Sequence, residues 1–311
     1  IGRGSVVTNS ARDFTVKVEA SSLRPGTTYY YQFSGLDVPS PIGRTKTLPV
    51  GDIDSVRLAV VSCSNLPHGY FNVYRCLAQR PDLDAVLHLG DYLYEYKNGQ
   101  DGDGTALNRV PMPDKEVVTL QDYRIRHAQY KADLDSQAML RQHPLIAVWD
   151  DHESANDSWM DGAENHDPDQ GEGDWLKRRT ASVKAYYEWM PIRENRSAQQ
   201  LQIYRSFRFG DLVDLIMLDT RLTGRDEQVD RDNTVAVQDS NRSLLGDTQE
   251  AWLFGELEES MKNGTQWRVL GQQVFFGAQA PRDEIRNSDK WDGYQGNRNR
   301  IFDFIEKHTL E

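Results

Sequence analysis

Three short apolar segments, each followed directly by polar side chains, constrain the fold of this 311-residue chain more than any other feature. The segments are residues 56–62, 85–89 and 145–149, and the polar residues after them are Cys63, Asp91 and Asp151. Apolar, β-branched runs of this length predict buried strands, and helical stretches between them favour an α/β sheet layered between helices. Ligands of such sheets bind beyond the carboxyl ends of the strands. We therefore expect these polar residues to converge at one edge.

The rest of the pattern supports the same fold class. Helical segments are expected at residues 70–80, 120–140, 175–190, 250–261 and 301–308, and further strands at 201–209, 213–218 and 267–271. The strands at 201–209 and 213–218 are predicted to form a hairpin around Gly210-Asp211. The first apolar strand leads into Ser-Cys-Ser-Asn-Leu-Pro. This turn is not glycine-rich, which argues against a nucleotide-binding Rossmann fold.

Residues 1–49 have a different, β-type pattern. Phe14, Val16 and Val18 alternate with polar residues, which predicts a half-buried strand. The Leu-x-Pro-x-Thr-x-Tyr spacing that ends at Tyr29 resembles the tyrosine corner of fibronectin-type sandwiches. Such a sandwich has about seven strands, and only two or three fit here. We therefore expect a partial fibronectin/Ig-like β domain over 1–49, followed by a second, α/β domain over 50–311.

Composition limits the classes of function. The net charge is -12, with 36 basic and 48 acidic residues, whereas a surface that binds nucleic acid is basic. No apolar run approaches the roughly 20 residues of a membrane-spanning helix. Cys63 and Cys76 have neither zinc-site nor disulfide-framework spacing, and Cys76 is interpreted as an ordinary thiol.

Convergence of Cys63, Asp91, Tyr94 and Asp151 would bring up to four negative charges together. Desolvation and repulsion would cost several kcal/mol per ion, so either protons remain or cations neutralise the cluster. Phenolate and thiolate favour a transition ion such as iron, whereas carboxylates suit calcium, magnesium or manganese. Without metal, the carboxylate pKa values should be raised. Each residue alone has a plainer interpretation: an ordinary Gly-Asp turn, a packed thiol or an aromatic strand edge.

The motifs also resemble those of a known family. The segment Gly90-Asp-Tyr-Leu-Tyr94 is similar to the GDxxY block of metallophosphoesterases related to purple acid phosphatases. The segment Val148-Trp-Asp-Asp-His-Glu153, followed by Asn156-Asp157, resembles the WDDHE–ND block of PhoD-like alkaline phosphatases. Similar blocks follow in order at 205–210, 217–221 and 291–294. The resemblance implies a calcineurin-like layered sheet sandwich flanked by helices, preceded by a remnant of the β-sandwich.

The resemblance also implies roles for individual residues. Asp91 would bridge two metals, Cys63 and Tyr94 would complete much of an iron site, and Asp151 would bind the second metal. The implied ions are Fe(3+) and Ca(2+), with another divalent metal as an alternative. His152 would contact the substrate phosphate or protonate the leaving oxygen.

Two further residues, Arg221 and Asn156, are candidates for holding phosphate oxygens. For Arg221, a structural ion pair with an aspartate is the alternative.

The implied function is metal-dependent hydrolysis of phosphate esters by metal-activated hydroxide, as an alkaline phosphatase acting on monoesters, with phosphodiesterase activity as a variant. Substrates would be small-molecule, lipid or nucleotide phosphate esters. The location would be secreted, periplasmic or at the cell surface. The alternative is a catalytically incomplete binding or scaffold domain that retains the fold.

The family pattern includes a late Gly-Asp-x-His block that supplies further metal ligands, and His308 stands too early to belong to it. We therefore expect the catalytic domain to be incomplete at its C-terminal end. An incomplete sheet should expose an apolar edge near Val269 and residues 274–276.

Overall fold

Strands and helices alternate along most of the chain in a computed structural model that describes residues 2–193, 202–279 and 287–309. The strands are β1 (Thr28–Tyr31), β2 (Ser34–Gly35), β3 (Val38–Pro39), β4 (Gly43–Lys46), β5 (Leu58–Val61), β6 (Ala85–His88), β7 (Leu145–Ala147), β8 (Arg205–Phe209), β9 (Val213–Met217) and β10 (Trp267–Gly271). The α-helices are α1 (Asn72–Ala78), α2 (Leu120–Ala132), α3 (Leu134–Gln142), α4 (Trp175–Trp189), α5 (Thr234–Val237), α6 (Gly246–Lys262) and α7 (Gln295–Thr309). The fold is mixed α/β.

The three predicted apolar strands form one parallel sheet in the order β5-β6-β7. Leu87 of the central strand pairs with Val60 on one side and with Ile146 on the other. All four residues of β6 are buried, as expected for a strand with neighbours on both edges. Because the strands are parallel, their carboxyl ends lie at the same edge of the sheet.

A second sheet has the order β10-β9-β8. The predicted hairpin is confirmed, because β8 and β9 pair antiparallel from Phe209 and Val213 outward, across a turn in which Gly210 has a φ of 57°. The strand β10 runs parallel to β9, whose five residues are all buried. The observed strand β8 begins at Arg205, and Leu201 lies outside the described residues.

The single helix expected at 120–140 is two helices, and Asp133 separates them. Its backbone is extended (φ −63°, ψ 129°), and its side-chain Oδ1 accepts hydrogen bonds from the backbone N–H groups of Asp135 and Ser136, each at 3.0 Å. Asp133 therefore caps the N-terminus of α3 while ending α2. An aspartate at this position satisfies backbone donors that a continuous helix would bond internally.

The N-terminal segment departs from one expectation. The strand predicted around Phe14, Val16 and Val18 is wrong: no strand is assigned to these residues, and their side chains are exposed. Phe14 has a φ of 56°, which is incompatible with an extended strand. The hydroxyl of Tyr29 accepts a hydrogen bond from the backbone N–H of Arg24 at 2.8 Å, a local tie of the type expected from the sequence.

The predicted apolar edge is partly observed. Among the described strands, β10 lies at the edge of its sheet, and the side chains of Val269 and Phe275 are exposed. Val274 is instead buried, and Phe276 packs against the same apolar cluster as Trp291. Residues 274–276 therefore alternate between the core and the surface.

Candidate metal centre and active site

The loop after β6 places Asp91 at the centre of the candidate site. Gly90 and Asp91 both have positive φ angles, 107° and 53°, which turn the chain sharply at the strand end. Asp91 Oδ2 lies 3.3 Å from Cys63 Sγ and 3.3 Å from the hydroxyl of Tyr94. The structure thus brings together three of the four residues expected to bind metal.

The loop after β7 supplies the fourth residue. A carboxylate oxygen of Asp151, a carboxylate oxygen of Asp91 and a ring nitrogen of His152 all lie within 4.8 Å of one another. The orientation of the Asp151 carboxylate is fixed in part by the backbone N–H of Asp157, which donates to Oδ2 at 2.7 Å. Residues 88 positions apart in sequence, Cys63 and Asp151, therefore belong to one cluster.

Glu153 holds the two loops against each other. Its Oε2 accepts hydrogen bonds from the backbone N–H groups of Asp91 (3.1 Å) and Asp150 (2.7 Å), and its Oε1 accepts one from Tyr92 (2.5 Å). The side chain is almost fully buried. Carboxylate bonds to backbone N–H groups are among the stronger hydrogen bonds in proteins, so this residue fixes the spacing between the two ligand-bearing loops.

The pKa shifts in the cluster are those expected where no cation offsets the negative charges. Burial raises the pKa of Asp91 well above its usual value, and the neighbouring charges of Asp150 and Asp151 raise it further. Burial and the charge of Asp91 likewise raise the pKa of Tyr94. The prediction of a raised carboxylate pKa is confirmed for Asp91, which has no Lys or Arg at ion-pair distance in the described part of the chain.

Arg221 occupies the other side of the Asp150-Asp151 pair. Its Nε lies 2.5 Å from Asp150 Oδ1, and its two terminal nitrogens lie 2.6 and 2.9 Å from the carboxylate of Asp289. A longer ion pair of 3.6 Å reaches Asp151. The side chain is 2% exposed. This geometry is that of the structural ion pair, the alternative that the sequence left open for this residue.

Asn156, the other candidate for phosphate contact, uses its side chain elsewhere. Its amide Nδ2 donates to Glu164 Oε2 at 3.0 Å, and its backbone N–H donates to Glu95 Oε1 at 2.7 Å.

Glu95 is a site residue that the sequence motifs did not identify. It is fully buried, and its Oε2 lies 2.8 Å from Nδ1 of His152. Burial alone would lower the pKa of His152, but the carboxylates of Glu95 and Asp151 outweigh burial and raise it well above the usual value. In the sequence, the one feature that points to Glu95 is its position directly after the GDxxY block.

The residues present fit a metal centre. Among the residues that the structure describes, Asp91 Oδ1 is buried and has no hydrogen-bond partner, although a buried carboxylate oxygen without a partner is costly. The thiol of Cys63, the phenol of Tyr94 and the carboxylate of Asp151 all lie near the carboxylate of Asp91, which is a donor set for a transition ion beside a harder cation. A bound cation would use the unpartnered oxygen and offset the crowded negative charge.

None of the described helices is long and apolar enough to cross a membrane.

Comparisons with known proteins show which family the chain resembles. The family model "PhoD-like phosphatase" matches residues 58–311, and "PhoD-like phosphatase, N-terminal domain" matches residues 1–49. The chain is 37% identical to alkaline phosphatase D of Bacillus subtilis (strain 168) over 325 aligned positions, covering 100% of this chain and 54% of that protein. A solved structure described as "Structure of PhoD" superposes with a TM-score of 0.84 at 37% identity, covering 94% of this chain and 56% of the other. The chain spans about half the length of these relatives, and it belongs to the PhoD-like phosphatase family.

Proposed function

We propose that this chain forms the catalytic part of a metal-dependent phosphate-ester hydrolase, with phosphomonoesters as substrates and phosphodiester hydrolysis as a variant. The observation that carries the proposal is the convergence of Cys63, Tyr94 and Asp151 on the carboxylate of Asp91, whose other oxygen, Oδ1, is buried and unpartnered among the described residues. Similarity to alkaline phosphatase D supports the same reaction class.

We propose Cys63, Asp91 and Tyr94 as ligands of an iron ion and Asp151 as a ligand of a calcium ion, with Asp91 shared between the two. When bound, such cations would stabilise negative charge on the phosphoryl oxygens and on the attacking oxygen. The thiol and phenol favour iron, and the carboxylates favour calcium.

Two further side chains have proposed roles, one toward the substrate and one toward the metal-binding loop. His152 is proposed to donate a proton to the leaving oxygen, since a ring nitrogen lies beside the two metal-binding carboxylates. A positioned acid of this kind contributes about 10²–10⁴-fold in rate. Arg221 is proposed to orient Asp150 and Asp151 rather than to hold phosphate, because its nitrogens already contact carboxylates.

The test combines metal content with turnover of p-nitrophenyl phosphate. The chain should retain iron and a divalent ion after dialysis, and Asp91→Asn should lose both the metals and the turnover. Asp214→Asn is the matched control, because Asp214 is also a buried aspartate but pairs with Arg208 on the β8–β9 hairpin. Stable protein without metal or turnover would favour a scaffold domain that retains the fold. Turnover of bis(p-nitrophenyl) phosphate would establish the diesterase variant.

Two further proposals concern organisation and location. We propose that residues 1–49 form a partial fibronectin/Ig-like domain and residues 50–311 the catalytic domain, in line with the two matched segments. A secreted, periplasmic or cell-surface location rests on the family resemblance alone, and fractionation of cells that produce the full-length protein would test it.

A further inference from the structure

We propose that Glu95 is a positioning residue that fixes the imidazole of His152 with Nε2 toward the leaving oxygen of the phosphate ester. The proposal deepens the function above and rests on the role given there to His152. Its basis is the contact between Glu95 Oε2 and His152 Nδ1 at 2.8 Å, in a pair whose side chains are 0% and 13% exposed respectively.

The position of Glu95 is itself rigidly determined. Its second oxygen, Oε1, accepts hydrogen bonds from the backbone N–H of Asn156 at 2.7 Å and from Nδ2 of Asn165 at 2.8 Å. Arg126 donates to the backbone carbonyls on both sides of Glu95, those of Tyr94 and Tyr96. A carboxylate held at both its oxygens and its backbone can orient a partner accurately.

The contact with Glu95 determines which ring nitrogen of His152 faces the candidate metal ligands, because the ring contacts with Tyr94 and Tyr96 do not distinguish Nδ1 from Nε2. The rings of Tyr94 and Tyr96 lie 4.2 and 5.3 Å from the His152 ring, centroid to centroid, and restrict its plane. Stacking contacts tolerate a flipped ring equally well. An ionised carboxylate only accepts hydrogen bonds, so Nδ1 must carry a proton, and the proton given to the leaving oxygen is a second one, carried by Nε2. Nε2 is then the nitrogen left to face Asp91 and Asp151.

A glutamine cannot replace Glu95. Three N–H donors converge on the two carboxylate oxygens, whereas a glutamine side chain offers one oxygen and one NH₂ group. In Glu95→Gln, either the imidazole or the Asn156 and Asn165 donors would face another donor. The imidazole would therefore lose the carboxylate that accepts its Nδ1–H, and either the ring turns or its proton moves to the other nitrogen, without any change in the size of the side chain at position 95.

The first test reads the imidazole directly. Histidine side-chain ¹H–¹⁵N NMR of the 311-residue chain, saturated with diamagnetic Zn²⁺, should show a hydrogen-bonded Nδ1–H for His152, identified by its absence in His152→Gln. Glu95→Gln should abolish or broaden that signal. Glu172→Gln is the matched control, because Glu172 contacts another histidine, His166, at 3.2 Å. An unchanged His152 signal in Glu95→Gln would overturn the proposal.

The second test uses two leaving groups. Phenyl phosphate needs protonation of its leaving oxygen far more than p-nitrophenyl phosphate does. Glu95→Gln should lower kcat for phenyl phosphate by about 10–100-fold, part of the effect of a general acid, and kcat for p-nitrophenyl phosphate by less than about threefold, with KM little changed. Glu172→Gln should alter neither.

An equal loss of kcat on both esters, or a loss confined to KM, would show that Glu95 does not act through the leaving group. If the unmodified chain hydrolyses neither ester, the proposed function fails. The NMR comparison would still decide whether Glu95 fixes the imidazole.

Discussion

Replacement of Gly90 by alanine should separate the two loops that carry the candidate metal ligands. A Cβ atom at Gly90 would lie 2.4 Å from Asp150 Cβ and 2.5 Å from Asp150 N, whereas carbon atoms in contact are about 3.5–4.0 Å apart. One loop must therefore move by roughly 1 Å. Gly90 also has a φ of 107°, where any Cβ adds strain.

The magnitude follows from these two contributions. Positive-φ strain costs roughly 1–2 kcal/mol, partly offset by about 0.4–1 kcal/mol of unfolded-state entropy. Overpacking adds about 1–3 kcal/mol. Gly99→Ala isolates the first contribution, because Gly99 has a φ of 81° and open space around it. We expect Gly90→Ala to lower the free energy of unfolding by about 1–4.5 kcal/mol and Gly99→Ala by about 1 kcal/mol.

Urea unfolding of the metal-free chain measures both variants, and calorimetric titration with Zn²⁺ measures the site. Affinity for Zn²⁺ should fall in Gly90→Ala and remain unchanged in Gly99→Ala. Only the first substitution moves the loop of Asp150, which also carries the candidate ligand Asp151, away from Asp91. Equal stabilities within about 0.5 kcal/mol and equal Zn²⁺ affinities would refute the reasoning.

Three further expectations can be checked by urea unfolding. In the described part of the chain, His127 is buried with no hydrogen-bond partner for either ring nitrogen, and burial lowers its pKa well below 6.5. The unfolded chain binds the extra proton, so His127 should contribute a fall in stability of about 1.4 kcal/mol per pH unit below that pH, and His127→Leu should reduce the measured slope by that amount. Arg124→Met should cost about 3 kcal/mol, because the buried carboxylate of Glu188 would keep only its longer pair with Lys184 at 4.0 Å, and a second change, Glu188→Met, should restore much of the loss. Asp174→Ala should cost about 1 kcal/mol, because Asp174 Oδ1 caps α4 through the backbone N–H of Lys177 at 3.1 Å.

The ligand cluster could be predicted because its determinants are local. Each of Cys63, Asp91 and Asp151 follows an apolar run, and parallel pairing of β5, β6 and β7 brings the ends of such runs together. The hairpin around Gly210 was equally local. These predictions required only the strand pattern and the rule that places ligands at carboxyl ends.

The residues that organise the cluster could not be predicted in the same way. Glu153 and Glu95 act through backbone N–H groups and a ring nitrogen contributed by other loops, and no spacing in the sequence reports such contacts. Asp133, whose side chain caps α3, divides the segment that the sequence pattern predicted as one helix over 120–140. The apolar alternation around Phe14 was misleading, since those side chains face solvent.

Because Glu153 joins the loops after β6 and β7, metal binding should require that these parts of the chain have already folded together. No single segment contains the site: its donors come from three strand ends, and the loops reach their spacing only after β5, β6 and β7 have paired. Short peptides that carry one motif each should therefore bind cations no better than any acidic peptide. During refolding, the chain should therefore bind metal only after β5, β6 and β7 have paired. The absorbance of the bound metal, followed over time, would show whether binding comes after folding.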